Sequence, residues 1–403
     1  MSNFEFRFST LSPRVIYLDA NATTPPDPEV VEAMLPWLGA RFGNPSASHA
    51  GGRAARRAVE AARFQVAALL GAEPEEIIFT SGGTESINSV HLFARQEWPD
   101  RPVLVIGAAE HAAVIESARR WRKSGGEVRH VPVNSQGVMQ PDALRAALAP
   151  GRAALVSLLW ANNETGVIAP MRELVETAHA AGAPVHADAV QAAGKMPLDL
   201  RAVPVDYLSL SGHKMHAPQG VGALYASRRA AFRPLLVGGG QERGMRSGTE
   251  NVPGIAAFGK AAELARARLP AAIPRMRDLR DLLEQRILAA LPDAVIHGRD
   301  ADRLPNTSSI RLPAADAAGM LILLDQKGIA CSGGSACHSG ALHPSHVLEA
   351  MGFDAAHAAG TLRFSLSHLT TREEIETAAG LVIQAAEKIR ALKDEASGEV
   401  IGV

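Results

Sequence analysis

The sequence predicts an α/β protein, a large domain around a mostly parallel sheet joined to a smaller α+β domain. Three observations carry this expectation. From Glu75 to Ser211, short β-branched or leucine-rich runs end in polar, glycine-bearing turns, and longer amphipathic stretches follow. That is the rhythm of repeated strand, loop and helix. After about Lys260 the pattern changes to long stretches with apolar spacing of three and four, a helical period. The chain has 403 residues, more than one core of about 100–200 residues needs. The expected division is residues 15–260 for the large domain, and 1–14 with 261–403 for the small one.

The elements follow in order. EEIIFT reads as a strand and runs through SGGTES into the helical stretch INSVHLFARQ. RPVLVIGA runs into AEHAAV, and RAALVSLLW into ANNETG. APVHA runs into DAVQAAG, and VDYLSLS into GHKMHAPQG. In such sheets ligands bind outside the carboxyl ends of the strands, and each of these polar turns falls at one. In the second part, AAELARARL and RMRDLRDLLEQRILAAL read as helices, and AVIHG, SSIRL and TLRFSLS as strands. Residues 372–394 read as a closing helix, and EASGEVIGV as a frayed tail. No internal repeat or low-complexity segment interrupts the pattern.

Composition narrows the function. The 41 basic and 42 acidic residues leave a net charge of −1, which gives no ground for a nucleic-acid partner. Two cysteines do not make a disulfide framework. The N-terminal MSNFEFRFSTLSPR has no apolar core of signal-peptide length. Runs such as ALVSLLWA are too short to span a membrane. The expectation is a cytoplasmic protein with no membrane partner.

Several residue types at the strand ends point to chemistry. In SGGTES, Gly82 and Gly83 let the backbone approach an anion, and the helix-start N–H groups with Thr84 can cradle a phosphate. A plain tight turn is the alternative. Asp188, just past a strand end, suits a protonated ring nitrogen, a ribose, or a helix cap. Lys214 also ends a strand. A desolvated lysine has a lowered pKa and can form a Schiff base, whereas a snorkelling lysine does neither. Ser211 and His213 flank it. His111 ends a third strand and is either structural or able to stack on a planar group. Asn162 and Asn163 lie in a turn, where asparagine needs no further role. GGGQERGMRSGTEN combines five glycines with Arg243, Arg246 and Thr249, which reads either as a surface loop or as a reach toward a phosphate or carboxylate. Together, a phosphate cradle, an acid for a ring nitrogen, a stacking imidazole and a reactive lysine are the partners that pyridoxal phosphate needs.

With these motifs assembled, the chain resembles the pyridoxal-phosphate-dependent cysteine desulfurases, closest to their nitrogen-fixation branch. The likeness rests on YLDANATTPPDPEVVEAML, FGNPSASH, IIFTSGGTES, WANNETG, HADAVQAAGK, SGHKMHAPQGVGALY, GGGQERGMRSGTEN, SGGSACHSGALHPSHVL and RFSLS, spread over about residues 15–385. It implies the aspartate-aminotransferase type of fold, fold type I, and a homodimer. It assigns the Schiff-base lysine to Lys214, the partner of the pyridine nitrogen to Asp188, the partner of the ring hydroxyl to Gln191, and the ring-stacking histidine to His111. Gly83, Thr84, Ser211 and His213 match phosphate-side positions, and Thr249 one supplied by the other subunit. Asn163 and Arg363 match residues near the substrate carboxylate, and Asn21 falls in the substrate-side N-terminal motif. Cys337 matches the cysteine that takes sulfur from L-cysteine as a persulfide, leaving L-alanine. The sulfur then passes to an acceptor such as an iron–sulfur scaffold.

The chain departs from the family's usual SSGSACTSG at Gly333 and His338, and has Ala20 and Ala113 where other residues are common. The glycine-rich loop is expected to leave Cys337 exposed and poorly ordered, free to reach inward for sulfur and outward to deliver it. A metal held by Cys331, Cys337, His343 and His346 matches no usual zinc spacing, so no metal is expected. Cys331 reads as a small buried hydrophobe. A transaminase of the same fold needs no such thiol, and a subunit without catalysis needs neither Lys214 nor Asp188 nor His111.

Overall fold

The computed structural model describes residues 15–149, 151–312, 316–333 and 345–399. Cys337, His338 and His343 lie outside the described residues, and with them the expectation of an exposed, poorly ordered thiol.

The main sheet has seven strands, in the order Ile77–Thr80, Gly222–Ala226, Tyr207–Ser211, Val185–Asp188, Ala153–Leu159, Val103–Gly107 and Glu127–Val131. Only Gly222–Ala226 runs against its neighbours; the remaining pairs are parallel. Helices cover both faces, so the central strands are buried on both sides and their sequences read as continuous apolar runs. The period of two still sorts the side chains. Val103 and Val105 enter one core with Val156 and Phe258, and Leu104 and Ile106 enter the opposite one with Val90 and Val114.

The direction of the strands decides where the chemistry sits. Thr80 and Ser211 both pair with Gly222, and Asp188 pairs with Leu159. The polar turns after these strands therefore emerge along one edge of the sheet, where α/β sheets bind ligands.

A second body packs beside this edge. Its sheet has the order Ser332–Gly333, Thr361–Ser365, Thr307–Arg311, Val295–Ile296, all antiparallel. Helix Val252–Ala290 joins the two bodies. Ile255 and Phe258 from its start enter the large core; Leu279, Leu283 and Ile287 from its later turns enter the small one. Residue 260 thus lies inside a continuous helix, not a linker. Near the N-terminus, Ile16–Tyr17 pairs in parallel with Ile329–Ala330, and Leu18 packs in the small core. The chain then crosses to the large body, where Thr24 N donates to His213 O at 2.9 Å. The closing helix, Arg372–Glu399, runs past residue 394 into the expected frayed tail, because Glu395, Ala396 and Glu399 are compatible with a helix.

Candidate active site

The two bodies and the sheet edge enclose a cleft of about 570 Å³. Gly83, Thr84, His111, Asn163, Asp188, Gln191, Ser211, His213, Lys214 and Arg363 all line it, as does Asn21. The sequence spreads these residues over more than 340 positions; the strand ends bring them together.

At one end of the cleft, helix Gly83–Glu97 starts without a side-chain cap, which leaves its positive N-terminus to an outside anion. Glycine is required around it. Gly82 has φ of 154°, and a Cβ at Gly83 would lie 2.7 Å from Val190 Cγ2. A Cβ at Gly222 would lie 2.6 Å from the Gly82 Cα, so the antiparallel strand can close on the turn only as glycine. Ser211 and His213 complete this end. His213 Nδ1 shares a hydrogen bond with Thr23 Oγ1 at 3.1 Å. Burial, with Lys214 and Lys195 nearby, pushes this imidazole down to about 4, so it is neutral at pH 7.

In the middle, Lys214 Nζ donates to the carbonyls of Asn21 at 2.7 Å and Ala22 at 2.6 Å. Burial, and after it Arg363, lower its pKa to about 8 against the opposing pull of Asp19 and Asp188. Asp188 is buried, and its Oδ1 accepts from Val190 N at 3.0 Å. Burial pushes its carboxyl up, and His111, the Val190 N–H and Lys214 pull it down. A positive group placed against it would favour the carboxylate. His111 caps helix Ala112–Lys123, its Nδ1 accepting from Ala113 N at 3.1 Å. Gln191 is buried, with Nε2 donating to Asn21 O at 2.9 Å.

At the far end, Arg363 Nη2 pairs with Asp19 Oδ1 at 2.7 Å, and Nη1 donates to Asn163 O at 3.2 Å. Its Nε is buried with no hydrogen-bond partner among the described residues. A buried guanidinium with a vacant N–H fits an incoming carboxylate. Asn21 lines the cleft while its side chain bonds within the protein. Its Nδ2 donates to Asn163 O at 3.1 Å and Thr307 Oγ1 at 2.9 Å, and its Oδ1 accepts from Asn306 Nδ2 at 3.1 Å. Both side-chain N–H groups are used inside the protein, so Asn21 offers the site its main-chain carbonyl.

These features test the expected cofactor against the residues present. An uncapped helix end, a buried carboxyl, a desolvated lysine and an exposed imidazole surround one cleft, and they fit pyridoxal phosphate. Thr249 does not join them: it lines a separate hollow with Thr80, Ser81 and Arg246. Cys331 reaches the cleft wall, half-buried, and burial with Asp19 nearby pushes its thiol up to about 12. It is therefore not a thiolate at neutral pH. His346 Nε2 bonds to the Glu110 carbonyl at 2.8 Å, and the described residues form no group of three or more His, Cys, Asp or Glu placed to hold a metal ion.

Sequence reasoning passed over three residues that hold the site. Asp19 grips both Arg363 and Ser332 Oγ, the latter at 2.9 Å. Glu164 pairs with Ser345 Oγ at 2.5 Å. Lys195 contacts Gln191; the spacing of four between them, a helical interval, was the available signal.

The aminotransferase class-V family matches residues 16–377. A cysteine desulfurase of Cereibacter sphaeroides is 49% identical over 389 residues, 96% of this chain and 99% of that one. A cysteine desulfurase of Nostoc sp. (strain PCC 7120) is 47% identical over 378 residues, 94% of each chain. Among solved structures, a NifS-like protein superposes with a TM-score of 0.86 at 38% identity, covering 92% of this chain and 99% of that one.

Proposed function

The chain belongs to the class-V aminotransferases and, within them, to the pyridoxal-phosphate-dependent cysteine desulfurases, and on that premise we propose which residues carry the reaction. The observation that supports the assignment is the single cleft gathering Lys214, Asp188, His111, Gln191, the Gly83 helix start and Arg363.

When bound, pyridoxal phosphate supplies an aldehyde for the substrate amine and a ring that withdraws electrons from the α-carbon. Lys214 would hold it at the aldehyde, Asp188 at the ring nitrogen, Gln191 at the ring hydroxyl and His111 across the ring face. Gly83, Thr84, Ser211 and His213 would hold its phosphate, with the partner subunit's Thr249. Asn163 would border both cofactor and substrate. Arg363, through its vacant Nε, would take the carboxylate of L-cysteine, steadied by the Asn21 carbonyl network.

The lysine amine, at about 8, passes between charged and free forms near neutral pH. That suits it to move the proton of the substrate α-carbon. The Cys337 thiolate then attacks the substrate sulfur. An S–S bond forms, the C–S bond breaks with its electron pair left on the carbon side, and protonation of that carbon gives L-alanine. His111 would hold or deliver a proton at this stage. The outer sulfur of the persulfide passes to an acceptor thiol, for which we propose an iron–sulfur scaffold.

The homodimer is part of this reading, since Thr249 stands away from its own cleft. So is the division into a large and a small domain, with residues 16–18 on the small body's side and the boundary inside helix Val252–Ala290. The absence of a disulfide framework in the sequence supports a cytoplasmic setting. The test is to incubate the holoenzyme with L-cysteine and a thiol reductant, and to quantify alanine and sulfide. Equal amounts from the wild type, and none from Lys214→Ala, are expected. Sulfide without alanine would defeat the assignment.

A further inference from the structure

The cleft leaves one buried lysine beside it unexplained. Lys195 is only 5% exposed. Its Nζ donates to Gln191 Oε1 at 2.6 Å. It does not line the cleft; it lies behind, in a cavity of about 50 Å³ shared with Thr24, Asp27, His216, Arg268 and Lys214. Burial and the nearby Lys214 and Arg363 push its amine well below the ordinary lysine range.

The contacts fix an orientation. A glutamine amide has one accepting end and one donating end. The Asn21 carbonyl can only accept, and it takes Gln191 Nε2 at 2.9 Å. Gln191 Oε1 must then face a donor, and a lysine amine donates whether it carries two protons or three. The same Asn21 carbonyl also takes Lys214 Nζ at 2.7 Å. One chain of contacts thus runs from Lys195 through Gln191 and Asn21 to the lysine of the cleft. Since Gln191 lines the cleft, its second amide N–H is left for a ligand there.

We propose that Lys195 is a positioning residue that acts through Gln191, holding the amide with its N–H end toward the cofactor's ring oxygen. This rests on the reading of Gln191 as the ring-hydroxyl partner. Without Lys195, Gln191 Oε1 would be buried without a donor. With only the Nε2–Asn21 contact left, the amide would no longer be held at both ends, and its second N–H would lose its fixed aim at the ring.

The test compares the wild-type holoenzyme with Lys195→Met, Gln191→Met and the double variant. The readouts are the visible absorption of the bound cofactor and its dissociation constant by dialysis, with the melting temperature of the cofactor-free protein as a check on the fold. Lys195→Met is expected to shift the absorption in the same direction as Gln191→Met, and to weaken cofactor binding about tenfold, the size of one buried hydrogen bond. The double variant is expected to match Gln191→Met, and Lys195→Gln, which keeps a donor, to recover the wild-type absorption. Unchanged absorption in Lys195→Met, or effects that add in the double variant, would overturn the proposal. If Lys195→Met does not fold, the double variant, which leaves neither the Lys195 amine nor the Gln191 amide unpaired, carries the test: absorption different from Gln191→Met overturns it. Silence of Gln191→Met itself would instead remove Gln191 as the ring partner, and the inference with it.

Discussion

Cofactor capture by the cofactor-free enzyme should follow the ionisation of Lys214, because only the free amine attacks an aldehyde. Burial brings this amine from 10.5 to about 8. Each unit changes the free fraction tenfold below the pKa, so at about pH 7 roughly one Lys214 in ten is free, against about one in three thousand for an exposed lysine. The gain is about 300-fold in reactive amine. Stopped-flow absorbance of pyridoxal phosphate binding, scanned across pH, reads it directly. The rate should climb about tenfold per unit below the midpoint and level off above about 8. The cause can be tested in the same assay. Arg363 is the cation whose charge lowers Lys214, and removing a positive charge favours the ammonium form. Arg363→Met should therefore move the midpoint to higher pH. A rate still climbing at about pH 10, the range of an ordinary lysine, would refute the claim that burial activates Lys214. A midpoint unmoved in Arg363→Met would refute the part given to Arg363.

Three further outcomes are expected. Arg363→Lys, which loses the planar fork, should raise KM for L-cysteine by about tenfold or more with a smaller change in kcat, measured as alanine release against substrate concentration. Asp188→Asn should retain the cofactor on dialysis yet lose about 10²–10³-fold in kcat, because a neutral amide no longer favours a protonated ring nitrogen. Glu242→Gln should destabilise the fold by about 3 kcal/mol or more, read from thermal or denaturant unfolding. It breaks the buried pair of Arg63 Nη1 and Glu242 Oε2 at 2.7 Å, and Glu242 Oε2 also accepts from Phe79 N at 2.8 Å.

The sequence made the strand ends legible because each apolar run stops at a glycine or a polar residue. Asp188, Lys214 and His111 could be found from that alone, since a titratable side chain at the mouth of a buried strand needs a reason to be there. The direction of Gly222–Ala226 was not legible, since parallel and antiparallel strands share the same apolar run when both faces are covered. Nor was the fate of the Asn21 side chain, which is settled by Asn306 and Thr307, 285 and 286 residues away. The Arg63–Glu242 pair spans 179 residues and leaves no mark in local composition. Lys195 illustrates the intermediate case: its spacing from Gln191 was visible, but its burial was not. The long helix Val252–Ala290 hid the transition between bodies, because a helix that changes cores partway shows no break in period, and Pro270 and Pro274 lie inside it without ending it.

The central claim is that Cys337 takes the sulfur and Lys214 prepares the substrate to release it. The most direct measurement is a mass spectrum of the Cys337 peptide after brief exposure of the holoenzyme to L-cysteine without reductant, with alanine quantified alongside. One added sulfur on Cys337 for each alanine released is the predicted result, with none in Lys214→Ala. Alanine released with the sulfur on Cys331, or with no protein-bound sulfur at all, would contradict it.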